Sequence, residues 1–162
     1  QVDTFIENYT GITNKMLDDA PLPDQVFPEL YRFLGDSVMI AHNASFDRGF
    51  LDMELERVGY QRQAPFLCSM RVARRIYQKA PNHKLGTLVK YAKVPVTGDF
   101  HRALADAEMT ALLWSGMMDV LTRDYDIADI ELKLLQKLEG MTIKRVDGWL
   151  RDSKSEQPYN LA

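Results

Sequence analysis

SVMIAHNASFDRGFL, residues 37–51, changes its apolar period midway. Val38, Met39, Ile40 and Ala41 form a short apolar run that closes on His42 and Asn43, too brief for a helix and right for a buried strand. From Ser45 onward the period changes. Phe46, Phe50 and Met53 fall on one helical stripe and Leu51, Leu55 and Val58 on its neighbour, so a helix is predicted over 45–58, stopped at Gly59. A strand feeding a helix through a short polar turn is the unit from which α/β domains are built.

Working outward, Val26, Phe27, Leu30 and Leu34 predict a helix before this strand, ended by Gly35. After it, APFLC (64–68) predicts a second short strand, SMRVARRIYQK (69–79) a basic helix, and KLGTLVKYAKV (84–94) a short helix stopped by Pro95. A long apolar helix is predicted over 102–121. An amphipathic segment follows over 124–140, and the remainder loses periodicity and is expected to be a loosely held tail. The expected organisation is a domain over 1–122 and a helical extension and tail over 123–162. Only two strands are convincing, and two short parallel strands cannot bury both faces against so many helices. Further strands are therefore expected from a segment upstream or from another chain. The first residue is Gln1 rather than Met, which fits a chain that begins inside a longer one.

Composition excludes some classes. The 162 residues are 46% hydrophobic and 27% charged, ordinary for a globular domain. No apolar run approaches the roughly 18 residues that would cross a bilayer, so no membrane partner is expected. The single cysteine, Cys68, permits neither a disulfide nor a thiolate zinc site within the chain and points to the cytoplasm. A net charge of −3 argues against bulk electrostatic binding of nucleic acid but leaves room for a local basic face. One exists: Arg71, Arg74 and Arg75 share a helical face by their spacing, in a segment without acids. It reads either as a solvated face or as phosphate contacts for a single strand.

Three polar residues stand out. Asp47 lies in the first turn of the helix after the strand, where an acid either complements the helix dipole or, at a strand's carboxyl end, faces a ligand. Asp106 lies among Ala103, Met109, Thr110 and Leu113 in an apolar helix; a carboxylate buried there would neutralise unless a cation, either Arg102 or a metal, held it ionised. Oxygen ligands of this kind suit Mg²⁺ or Mn²⁺. His101, just before that helix, is either an exposed loop histidine or a general base.

HNASFDRGFL (42–51) and HRALADAEMTALL (101–113) resemble the second and third acid motifs of the DEDDh 3′–5′ exonucleases, and TGIT (10–13) resembles the segment these enzymes carry before the second motif. The likeness is greatest to the proofreading (epsilon) type of bacterial DNA polymerase III subunit and covers residues 1–122. It implies a ribonuclease-H-like α/β fold and release of 5′-mononucleotides from 3′ ends of DNA or RNA, with a DNA polymerase subunit as a further partner. It also implies two divalent ions, Mg²⁺ or Mn²⁺, held by Asp47 and Asp106, with His101 as the base for the attacking water. Asn43 and Phe46 would line the pocket for the terminal nucleotide, and Thr10 and Gly11 would contact it through their backbone. The family's other two ligands form an Asp-x-Glu motif on an upstream strand, which the chain lacks. Its only Asp-x-Glu, Asp52-Met53-Glu54, sits on the predicted helix and reads as solvated surface. With two carboxylates of four, the chain alone is expected to bind metal weakly and to catalyse poorly, if at all. A rival reading is a catalytically inactive exonuclease-like module that binds nucleic acid or serves as a scaffold.

Overall fold

The computed structural model describes residues 1–95 and 103–153. Two parallel strands, β1 (Met39–Ala41) and β2 (Phe66–Cys68), form the sheet among these residues, paired in register Met39 to Phe66, Ile40 to Leu67 and Ala41 to Cys68. The parallel pairing follows from the crossover between them, α4 (Ser45–Arg57), which returns the chain to the same end of the sheet. Both strands and α4 lie where the sequence places them.

Three helices precede β1: α1 (Thr4–Thr10), α2 (Asn14–Asp18) and α3 (Pro23–Leu34). Asp3 caps α1 by accepting from the Ile6 amide at 2.8 Å, and Thr13 caps α2 by accepting from Met16 at 3.2 Å. Pro23 opens α3, where its fixed φ suits the first helical position. Aromatic contacts join α3 to the α4 region, with Tyr31 and Tyr60 ring centroids 4.6 Å apart and Phe27 and Phe50 6.3 Å apart.

After β2 come α5 (Ser69–Ile76), α6 (Leu85–Tyr91), α7 (Ala103–Tyr125), α8 (Leu132–Gly140) and α9 (Ile143–Ser153). The main core joins Leu67 of β2 to Val72 and Ala73 of α5, Leu113, Met117 and Leu121 of α7, Leu138 of α8, and Val146 and Leu150 of α9. A smaller cluster of Val89, Ala105 and Met109 seals α6 against α7.

The last segment corrects the sequence reading. Residues 143–153 form a helix, and Val146 and Leu150 are fully buried, so this part is not a loose tail. Val146, Trp149 and Leu150 do recur at helical spacing, and Trp149 packs on the core with the Lys137 ammonium 4.9 Å from its ring centroid. The Tyr125 hydroxyl donates to Asp147 at 2.7 Å, tying the end of α7 to α9. Position 122 falls inside α7, and the core is continuous across it. Of the amphipathic segment expected from 124, Asp124 and Tyr125 end α7, and helix resumes only at Leu132.

Candidate active site

The pairing register builds the site. One residue beyond the last pair, Ala41 with Cys68, the chain places His42 beside Ser69. The His42 Nδ1 lies 2.9 Å from the Ser69 Oγ and its Nε2 2.9 Å from the His83 carbonyl oxygen. A carbonyl can only accept, so Nε2 carries a proton, and in the neutral ring Nδ1 accepts from the Ser69 hydroxyl. Burial pulls the His42 pKa below its ordinary value, the charges of His83 and Arg74 act in the same direction, and the bond to the His83 carbonyl opposes them. The imidazole thus clamps the end of β1 to the start of α5 and to the residues leading into α6.

Asn43 follows with φ +69°, the left-handed conformation that asparagine tolerates better than most residues. That conformation lets the chain turn from β1 into α4 within three residues. Asp47 then falls in the first turn of α4, exposed, at the carboxyl end of the sheet.

Asp106 comes to the same place from α7. Both carboxylates line one cavity of ≈1160 Å³, together with Ile40, Ala41 and His42 from the end of β1 and Lys84, Thr87 and Lys90 from the α6 segment. Asp106 lines this cavity and is half-buried between buried Ala105 and Met109 rather than enclosed. Neither Asp47 nor Asp106 has an ion-pair partner among the described residues. His101 and Arg102 lie outside the described residues.

The donor set fits a hard divalent cation in kind but not in number. Carboxylate oxygens are the ligands Mg²⁺ and Mn²⁺ prefer, yet no group of three ligating side chains converges among the described residues. The chain's own Asp-x-Glu does not supply the missing ligands. Asp52 pairs with Arg62 at 2.9 Å and Glu54 with Arg57 at 2.9 Å; Asp52 is exposed as expected, whereas the Glu54 side chain is mostly covered.

The other sequence candidates are dispersed. Asn43 lines a separate, smaller cavity with Arg71 and Arg74, whereas Phe46 is 76% exposed. Arg71 pairs with Glu139 at 3.3 Å, and Arg75 donates to the Met141 carbonyl through Nε at 2.9 Å and Nη2 at 2.7 Å, holding α5 to the turn after α8. Thr10 and Gly11 end α1, where the Thr10 hydroxyl donates to the Ile6 carbonyl at 2.7 Å and Gly11 takes a left-handed cap. Their neighbour Tyr9 lines the cavity instead. Sequence reasoning gave no role to Tyr9, His42, Thr87 or Lys90. The signal for the last two was present, since Lys84, Thr87 and Lys90 recur every three residues while Leu88 and Val89 turn inward.

Two acids from separate elements are thus gathered at the carboxyl end of a parallel sheet in an α/β domain. The Exonuclease family (RNase_T) matches residues 1–114, and the chain belongs to that family. The PolC-type DNA polymerase III of Halalkalibacterium halodurans is 40% identical over 124 residues, which are 75% of this chain and 8% of that protein. Its counterpart in Bacillus cereus is 37% identical over 128 residues, 78% of this chain and 9% of that protein. The chain therefore spans under a tenth of the length of these relatives. Among solved structures, exonuclease X in complex with 5′ overhanging duplex DNA superposes with a TM-score of 0.61 at 27% identity, covering 85% of this chain and 74% of that one. The fold is accordingly that of a ribonuclease-H-like exonuclease. No helix among the described residues is long and apolar enough to cross a membrane.

Proposed function

We propose that the chain carries the nucleotide-binding half of a metal-dependent DEDDh-type 3′–5′ exonuclease that releases 5′-mononucleotides from single-stranded 3′ ends of DNA or RNA. The observation that carries this reading is the convergence of Asp47 and Asp106 from α4 and α7 on one cavity. These two carboxylates would hold part of a divalent ion pair, completed by ligands from an Asp-x-Glu strand outside this chain. When bound, such ions neutralise the scissile phosphate and favour ionisation of the attacking water. His101 would accept the water's proton at an imidazole nitrogen, and Asp47 and Asp106 would hold the cations that place the phosphate. Association with a replicative polymerase belongs to the same reading, supported by the likeness to PolC-type enzymes.

The test uses the protein in its full-length natural context and a 3′-labelled oligonucleotide. Mg²⁺ or Mn²⁺ should support release of labelled 5′-mononucleotide, and Asp47→Asn and Asp106→Asn should each abolish it. His101→Ala should lower turnover about a hundredfold or more while metal affinity is kept. Undiminished cleavage in either Asn variant or in excess chelator overturns the metal assignment. The incomplete ligand set favours one second reading, a binding module without catalysis, which would show oligonucleotide binding and no release under any metal.

A further inference from the structure

Some charged side chains pair with one another among the described residues. Arg57 pairs with Asp24 and Glu54, Arg62 with Asp52, Arg71 with Glu139, and Arg123 with Asp124. The large cavity is different. Asp47 and Asp106 line it from α4 and α7, Lys84 and Lys90 line it from the α6 segment, and none of the four has an ion-pair partner among the described residues. Unlike charges border one open space without neutralising one another. The geometry of α6 explains why. Lys84 is its N-cap residue, and Lys84, Thr87 and Lys90 follow at steps of three, so they share a face. Leu88 and Val89 form its fully buried apolar side, and Val89 packs with Met109 and Ala105 of α7. The burial of that apolar side fixes which way the lysines face.

A cavity with acids on one wall and bases on another suits a ligand that brings cations to the first and anions to the second. Metal-bound phosphodiester does both. We propose that Lys84 and Lys90, with the Thr87 hydroxyl between them, form an anion subsite for the backbone phosphates of a single strand whose 3′ end reaches Asp47 and Asp106. This rests on the exonuclease reading and goes beyond it by placing the strand along α6, not along the arginine face of α5. There Arg71 and Arg75 are already engaged with Glu139 and with the Met141 carbonyl. Lysine serves here as a point charge, and counterion release makes its contribution salt-dependent.

The experiment measures binding of a fluorescent oligothymidylate to the full-length protein in chelator, by anisotropy over a series of KCl concentrations. For single strands each phosphate contact contributes about 0.7 to the slope of log K against log salt. Lys84→Gln and Lys90→Gln should each lower the slope by about 0.7 and the double variant by about 1.4, a change that general loss of folding would not produce. Affinity at low salt should fall by roughly fivefold for each lysine, the value of about 1 kcal/mol for a contact near water. Lys133→Gln, exposed on α8 and outside the cavity, should change neither quantity. Unchanged slope in the double variant, with the native protein binding normally, overturns the subsite and leaves the exonuclease reading intact. Weakened binding of thymidine 5′-monophosphate alone, with the oligomer unaffected, also overturns it, because the lysines would then hold released product. A native protein that neither binds the oligomer nor cleaves 3′ ends defeats the exonuclease reading itself.

Discussion

The two halves of the molecule are built to different standards. From β2 onward the helices enclose an apolar core: six residues of α7 are buried, and Leu138, Val146 and Leu150 of α8 and α9 are fully shielded. Before β1, helices α1, α2 and α3 bury no residue at all, and α4 buries only Leu55. Most of the exposed large apolar side chains among the described residues precede residue 54, Phe5, Phe33 and Phe46 among them. Contiguous exposed apolar surface commonly marks a place of contact. The contrast locates the stability of the chain in its second half and leaves the first half's apolar residues without a core of their own. The site stands on the seam, with Asp47 from the open half and Asp106, Lys84 and Lys90 from the closed half.

The largest effect should come from the closed half. Leu138 is fully buried in the main core, where truncation loses transfer energy and leaves a cavity. Leu138→Ala is expected to cost about 2–5 kcal/mol, read from denaturant unfolding. A loss below about 1 kcal/mol would mean that α8 is peripheral and that the contrast between halves is false.

Next comes the seam. His42 binds Ser69 and the His83 carbonyl, so His42→Ala breaks two hydrogen bonds and should cost about 1–3 kcal/mol. Its burial holds the folded-state pKa below the ordinary 6.5. The unfolded chain then takes up this proton more readily. The clamp's contribution is full above pH 6.5 and is lost as the pH falls from there through the folded-state value. Unfolding curves at stepped pH should show this slope in the native protein and not in His42→Gln. An identical slope in both would assign the effect to other groups.

What the sequence disclosed divides along the same line. Local period and punctuation predicted β1, α4, β2 and the C-terminal end of α3 because each is set by neighbours in the chain: Gly35 and Gly59 both adopt positive φ where helices were expected to stop. The acids at 47 and 106 could be suspected separately, but their shared cavity depends on the parallel register and on α6 packing against α7, which no local pattern encodes. Helix α9 was missed because charged residues interrupt its short apolar stripe, and only the waiting core gives Val146 and Leu150 their burial. Arginine spacing predicted a shared basic face on α5, yet it could not show that Arg75 is committed to the Met141 carbonyl 66 residues away.

The smallest effect belongs to the open half, and it is the sharpest test of the contrast. Phe33 lies near the end of α3 at 85% exposure, so its ring gains little from folding in this chain. Phe33→Ser should change unfolding free energy by less than about 0.5 kcal/mol, as for surface sites without special contacts. Binding of an apolar fluorescent dye to the native state should fall in the same variant, because a patch of exposed hydrocarbon has been removed. The two readouts constrain each other. A destabilisation of 2 kcal/mol or more, on the scale of a buried aromatic, would show that this face is covered in solution. Unchanged stability with unchanged dye binding would show that Phe33 stands apart from any continuous apolar surface. Only a near-neutral stability change with reduced dye binding fits a first half that displays its apolar residues while the second half supplies the core.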